Sequence, residues 1–497
     1  MQVLRAIRFA SRYDFSFDED LVVAASSPMI RKALVEKISR ERILVELDGM
    51  LAGSRCRPPA ALWSIFALDL FDTVFNPSHS DSITIDSYWT VISSLSVIVV
   101  NALMRLIYFD NDCISNKEFM TFRSEGCGCP ISSTLSDITA AEAIIATTAT
   151  NNQHNVFEGM DELGSSSLSG VEFPSTILYS HLSSLIASSS QSSLLEERET
   201  LYEDLLMTQR LIYIATSVSG LQGVKCREIN LKDQQQHQKT SNDEEKAGGK
   251  KKQPNPQQSS KEAKMILLST HTLRQLKLDT KSIKSVEIVM TGANFVKDFV
   301  RRNSDALIYS NFDLRRCGNS GESVDVDKGR GRVDDSEMRE ELGMFVREVK
   351  QVWQCAVIYA CAMDIVESFD RSLFKSFESQ SLQPPRVKLV PVNLNHAPCC
   401  SAKIIEGSEQ LEILISMNLV MKYVMVERLV HIYELEEAWT IRPLFDSKSI
   451  GKELGIKQGP QIGVVIEEAI RWQLRNPRGS GEDLMSFLKE GDEDELC

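Results

Sequence analysis

At 497 residues the chain is longer than one compact core, and 42% hydrophobic with 25% charged content argues against wholesale disorder. A formal net charge of −14 speaks against a nucleic-acid partner unless Lys and Arg cluster locally. Eleven cysteines with no secretory signal ahead of them argue against a disulfide framework and for reduced thiols in an intracellular protein.

The chain opens on a helical pattern. Leu4, Ile7, Phe9 and Ala10 share one face, with Arg5, Arg8 and Arg12 around the other. Tyr13 to Asp20 reads as a polar, aromatic turn, and Asp18 or Asp20 is placed to cap a helix from Leu21 to Ala25. Ser27-Pro28 opens another helix. Ser39 is an expected N-cap for a helix carrying Ile43, Val45, Leu47, Met50 and Leu51, reaching about Ala52 and ended by Gly53.

Residues 60 to 110 read as helical around a polar loop near Asn76 to Ser82. The apolar run from Tyr88 to Phe109 is interrupted by Ser93, Ser94, Ser96, Asn101 and Arg105. A spanning helix needs about 20 predominantly apolar residues, so a buried core helix is expected and no membrane partner. Asp112 to Gly170 is rich in Ser, Thr, Gly and Asn and reads as loop, with one helix near Ala140 to Thr147. Helical pattern returns from Thr176 to about Ser217, broken at Ser188 to Ser193. Residues 231 to 262 have almost no apolar content and read as a disordered insertion.

Helices are expected again over Leu267 to Ser304, Glu337 to Phe374 and Leu411 to Trp439, with a Gly- and Ser-rich interruption at Cys317 to Val333. Short helices separated by Gly and Pro fill Ile441 to Glu490, before an acidic terminus. Strand signals are scarce, and the fold class is mainly α with long disordered insertions.

No metal ligand set is expected. Cys127-Gly128-Cys129 and Cys399-Cys400, with His396 nearby, lack the spacing of zinc ligands. Asp325-Val326-Asp327 looks like a metal-binding pair, but it sits in a polar, Gly-rich stretch with no strand to hold it.

Three stretches carry a family resemblance. Val3-Leu4-Arg5-Ala6-Ile7-Arg8-Phe9-Ala10 resembles the end of a templating motif in class II CCA-adding tRNA nucleotidyltransferases and their poly(A) polymerase relatives. Lys37-Ile38-Ser39-Arg40-Glu41-Arg42-Ile43, with Glu46, resembles that family's second neck motif. Trp439, Arg442-Pro443-Leu444-Phe445-Asp446, the Lys452 to Gly463 stretch and Trp472-Gln473-Leu474 resemble the helical tail, of plant forms especially.

The resemblance implies a neck at 1–57, a helical body at 58–225 and 266–410 around an insertion at 226–265, a tail at 411–490 and an acidic end at 491–497. It implies template-independent addition of C, C and A to tRNA from CTP and ATP with Mg2+. In the family a catalytic head precedes the neck; here no Gly-rich motif or carboxylate pair precedes Val3, and Gln2 falls where the templating Arg would stand. The expectation is therefore tRNA binding without a catalytic site or bound Mg2+, acting alone or with a head supplied in trans. The other readings are a piece of a working enzyme whose head lies upstream and a non-binding helical scaffold. The organelle is left open.

For Arg5 and Arg8 the resemblance implies contact with triphosphate or the tRNA end; the alternative is exposed helix charge. For Arg40, Glu41 and Glu46 it implies bracing of head against neck; the alternative is solvated charge or intrahelical pairing. Lys452, Lys457, Arg471, Arg475 and Arg478 surround a Gly459-Pro460 helix start. Outward backbone N–H groups there would suit phosphate, so RNA backbone contact is expected at Lys452, Lys457, Gly459, Arg471 and Arg475. Trp439 and Trp472 are expected to pack between tail helices.

Overall fold

The computed structural model describes residues 1–52, 56–75, 85–86, 88–104, 207–227, 265–308, 335–369, 386–392, 400–405, 410–456 and 459–491. The expected loop at 112–170, insertion at 231–262 and interruption at 317–333 lie outside them, as do Cys127, Cys129, Asp325, Asp327, His396, Cys399 and Lys457. The described chain is mainly helical, as expected. It divides into two compact units: one holds the described parts of Met1–Val97 and Tyr213–Glu287, the other those of Ile98–Ile212, Ile288–Leu373 and Pro385–Cys497.

The first unit begins with α1 (Gln2–Tyr13), α2 (Glu19–Ala25), α3 (Pro28–Lys37) and α4 (Arg40–Leu51). The caps follow the sequence: Asp18 accepts from the Asp20 N–H, and Ser27 accepts from Met29 N–H with Pro28 in the first turn. α1 packs on α4 and on α5 (Pro58–Ala67), burying Leu4 and Ile7 against the layer that holds Ile43, Leu47, Ala61 and Leu62. α6 (Phe71–Phe75) follows, and Phe71 meets Phe75 at 4.7 Å and Trp89 edge-on at 5.7 Å between centroids.

Trp89 begins α7 (Trp89–Met104), the apolar helix interrupted by Ser93, Ser94 and Ser96. The structure gives two of those serines a use, and leaves the buried Ser94 hydroxyl without a hydrogen-bond partner. Ser93 Oγ accepts from the Gly220 N–H at 3.1 Å, and Ser219 Oγ donates to Ser96 Oγ at 2.9 Å. Gly220 is required because a Cβ there would lie 2.2 Å from the Trp89 carbonyl oxygen. Gly220 follows α8 (207–217) and precedes a two-stranded antiparallel ribbon of β1 (Lys225–Arg227) and β2 (Met265–Leu267). α9 (Leu268–Gln275) and the start of α10 (Thr280–Arg302) complete this unit, joined by Thr270 Oγ1 donating to Glu287 at 2.5 Å.

The second unit contains the rest of α10, then α11 (Ser304–Ile308), α12 (Asp335–Val349) and α13 (Trp353–Glu367). α13 is buried almost all round, from Trp353 to Val366, and forms the unit's central helix. A mixed sheet follows: β5 (Gln410–Ser416) lies between β3 (Arg386–Val392), to which it is parallel, and β4 (Cys400–Ile405), to which it is antiparallel. The continuous helix expected from Leu411 is therefore replaced by a strand, and α14 (Met417–Ile432) starts only after Ser416. Leu411, Ile413 and Ile415 keep a spacing of two, but the apolar Leu414 between them makes a short run that periodicity alone does not separate from helix. The unit closes with α15 (Ser447–Leu454), α16 (Pro460–Arg475) and α17 (Gly481–Gly491) around Ile450, Val465, Ala469, Trp472, Leu484 and Leu488. No described helix is long and apolar enough to cross a membrane.

Candidate functional site

In the first unit the two N-terminal motifs converge on one carboxylate. Glu46, on α4, is 4% exposed at its side chain and accepts from Arg8 Nε at 2.8 Å; Arg5 Nε stands 3.5 Å from its other oxygen. Arg5 and Arg8 lie three residues apart on α1, so they share the face turned toward α4. Arg5 remains half exposed, whereas Arg8 is largely covered. The same approach involves two residues that motif reading passed over. Arg12 donates to the Gly49 carbonyl at 3.0 Å. A Cβ at Gly49 would lie 2.6 Å from Arg8 Cδ, so the small residue lets the arginine run along α4. Gly49 stands three residues after Glu46, a helical spacing that would have marked the shared face.

Arg40 donates to the carbonyls of Thr73 at 3.2 Å and Val74 at 2.9 Å, tying the start of α4 to the end of α6. Burial holds its pKa below the ordinary arginine value. Ser39 occupies the N-cap position, but its hydroxyl makes no bond to the helix backbone. The exposed Glu41 carboxylate lies beside it in the first turn. Its pKa is lowered first by its own backbone N–H, then by the Ser39 hydroxyl, with a smaller contribution from the Lys277 charge.

In the second unit the basic residues of the C-terminal helices meet an acid. Glu340, on α12, is buried and accepts from Arg471 Nη1 at 3.1 Å and from Arg475 Nε. Arg471 also reaches Glu467 at 2.8 Å and Glu468 at 3.7 Å, and its pKa is raised chiefly by the Glu467 bond. α12 holds the adjoining turns through carbonyls: Arg339 bonds Leu474 and Tyr433, and Arg347 bonds Ala438 and Ile441 at 2.8 Å each. Gly343 admits Leu474 against the helix backbone. Lys452 sits in the last turn of α15, and Gly459 is the extended N-cap residue of α16, with no side-chain cap. Trp472 packs between α16 and α17, its ring against Phe487 and Gly479. Among the described residues, no group of three or more His, Cys, Asp or Glu is placed to hold a metal ion.

Curated proteins match parts of the chain. A tRNA nucleotidyltransferase of Schizosaccharomyces pombe is 39% identical over 77 residues, 16% of this chain and 15% of that protein. The mitochondrial CCA tRNA nucleotidyltransferase of Saccharomyces cerevisiae is 40% identical over 82 residues, 16% of this chain and 14% of that protein. A CCA-adding enzyme of Lactococcus lactis is 46% identical over 57 residues, 12% of this chain and 13% of that protein. The similarity is to CCA-adding tRNA nucleotidyltransferases. The matches are partial: 13 to 15% of the length of these three relatives is covered. No protein-family profile matches the chain, and no solved structure does.

Proposed function

We propose that this chain serves CCA addition to tRNA 3′ ends from CTP and ATP, and that its described residues hold tRNA and do not perform the transfer. The observation that carries this reading is the Glu46 junction. Residues of two motifs, quoted from separate parts of the sequence, fold onto each other through Arg5, Arg8 and one buried carboxylate. Such a junction fixes the angle between α1 and α4 and leaves Arg5 half exposed, a cation available to phosphate. Mg2+ in the family's chemistry would neutralise the triphosphate, but the described carboxylates do not cluster to hold it. Transfer would then use a nucleotidyltransferase head contributed by another segment or polypeptide.

The test has two arms. Binding of a tRNA transcript lacking its CCA end is measured across about 50 to 200 mM salt, where phosphate contacts should weaken it steeply. Incorporation of CMP and AMP is measured on the same transcript with CTP, ATP and Mg2+. Salt-sensitive binding without incorporation is expected. Absence of binding at the lowest salt rejects the reading, and incorporation by the chain alone rejects the division of labour.

One observation favours the scaffold reading for the C-terminal helices. Arg471 and Arg475, expected to meet RNA, are already paired with Glu340. RNA phosphate would have to displace a buried carboxylate to engage both.

A further inference from the structure

Three exposed aromatic rings of the first unit stand in a row. Phe9 and Tyr13, one turn apart on α1, stack with centroids 6.2 Å apart and planes 20° from parallel. Tyr13 and Phe15 continue the row at 5.7 Å and 28°. At its far end the Arg8 guanidinium lies 4.9 Å from the Phe9 centroid. The rings are 40%, 47% and 63% exposed, whereas Phe71 and Trp89 of the same unit are 2% and 5% exposed.

The row depends on a particular backbone turn. Residues two apart on a helix do not face each other, so a continuing α1 would carry Phe15 away from Tyr13. Asp14 instead adopts φ 59, in the left-handed region that Asp tolerates better than most residues. The Phe15 N–H bonds the Ala10 carbonyl at 3.0 Å, and Arg57 holds the Asp14 carboxylate at 2.5 Å. An ion pair and a helix-end hydrogen bond thus fix the third ring beside the second, in water.

The charge at the Phe9 end of the row suits a phosphate. α1 carries Arg5, Arg8 and Arg12 and no acidic residue, whereas at the other end Asp14 is paired with Arg57 and Asp18, Glu19 and Asp20 follow Phe15. Near-parallel exposed rings offer π faces, and single-stranded nucleic acid presents base faces and phosphates together. A duplex hides its base faces, and an aliphatic surface has none. The exposed aliphatic residues Val23, Met29, Val35 and Val45 belong to α2, α3 and α4 and contribute no ring.

We propose that Phe9, Tyr13 and Phe15 form a base-stacking platform for a single-stranded RNA end, with the half-exposed Arg5 meeting its phosphate; that the RNA is a tRNA 3′ end rests on the proposed function. The experiment uses the full chain and a short single-stranded RNA carrying 2-aminopurine near its 3′ end, alongside the same sequence as a duplex. Binding should quench the single strand, and the duplex should bind more weakly. The paired substitution Tyr13→Leu with Phe15→Leu keeps apolar surface and removes two π faces. It should weaken single-strand binding about tenfold with an unchanged salt slope and unchanged helical circular dichroism. Arg5→Ala should lower the salt slope by about one.

Absence of quenching overturns the platform, as does a duplex bound as tightly as the single strand. RNA affinity indifferent to the leucine pair also overturns it. A chain that binds intact tRNA but fails these tests loses the platform alone. One that quenches the single strand yet ignores tRNA keeps the platform and loses the tRNA reading.

Discussion

Glu46 accepts a hydrogen bond from Arg8, 38 residues earlier in the chain, at 2.8 Å, with its carboxylate almost wholly shielded from solvent. A shielded carboxylate bonded to a guanidinium is costly to break from one side, since the remaining charge keeps its desolvation penalty.

Glu46→Ala is therefore expected to lower stability by about 2 kcal/mol in urea unfolding, the range for a charged hydrogen bond. Arg5→Ala, at the longer and half-exposed contact, should cost less than about 1 kcal/mol. A double-mutant cycle should couple Glu46 more strongly to Arg8 than to Arg5. Equal coupling would show that the 2.8 Å bond carries no special weight.

Two glycines give opposite expectations. Gly220→Ala puts a Cβ 2.2 Å from the Trp89 carbonyl oxygen, where only a backbone shift relieves the clash, and should cost about 2 kcal/mol or more. A Cβ at Gly463, inside α16, meets nothing within 4 Å. Gly463→Ala should therefore stabilise by about 0.5–1 kcal/mol through helix propensity. Thermal midpoints moving in the same direction for both would contradict the packing described.

Glu340 bears two arginines, and its removal should separate stability from charge. Glu340→Gln is expected to destabilise the second unit by about 1–3 kcal/mol while keeping side-chain volume. It also frees Arg471 and Arg475, so affinity for a polyanion such as heparin should rise and steepen with falling salt. Unchanged heparin retention would mean that Arg471 stays engaged with Glu467 and Glu468 and that Arg475 adds no phosphate contact.

The acid limb of stability should depend on two exposed helix-end carboxylates. Asp446 is held below the ordinary carboxylate range first by the Ser449 hydroxyl and then by its N–H, and Asp483 likewise by Ser480. A depressed folded pKa means that the native state favours the charged form. The stabilisation is complete above the ordinary carboxylate pKa, near 4, and is lost as pH falls through the folded values. The melting temperature of the helical signal should fall over that window, and Asp446→Asn with Asp483→Asn should flatten the decline. An identical acid limb in the double variant would assign the loss to other carboxylates.

Local chemistry in the sequence already determined much of the helical plan. Asp18 and Ser27 mark helix starts through short-range bonds, and Pro28 through its place in a first turn. The strand at Gln410–Ser416 escaped because a short, mostly apolar run fits a helix or a strand until neighbours β3 and β4 supply hydrogen bonds. At the candidate sites the sequence supplied the residues, and tertiary structure chose their partners. Whether Arg8 faces solvent or a carboxylate depends on how α1 and α4 pack, and Gly49 matters only once Arg8 lies across it. Glu340 lies more than a hundred residues from Arg471 and Arg475, and no local pattern could have joined them. A side chain's charge is written in the sequence; the charge it meets is set by long-range packing, which buries one partner and so makes the pairing obligatory.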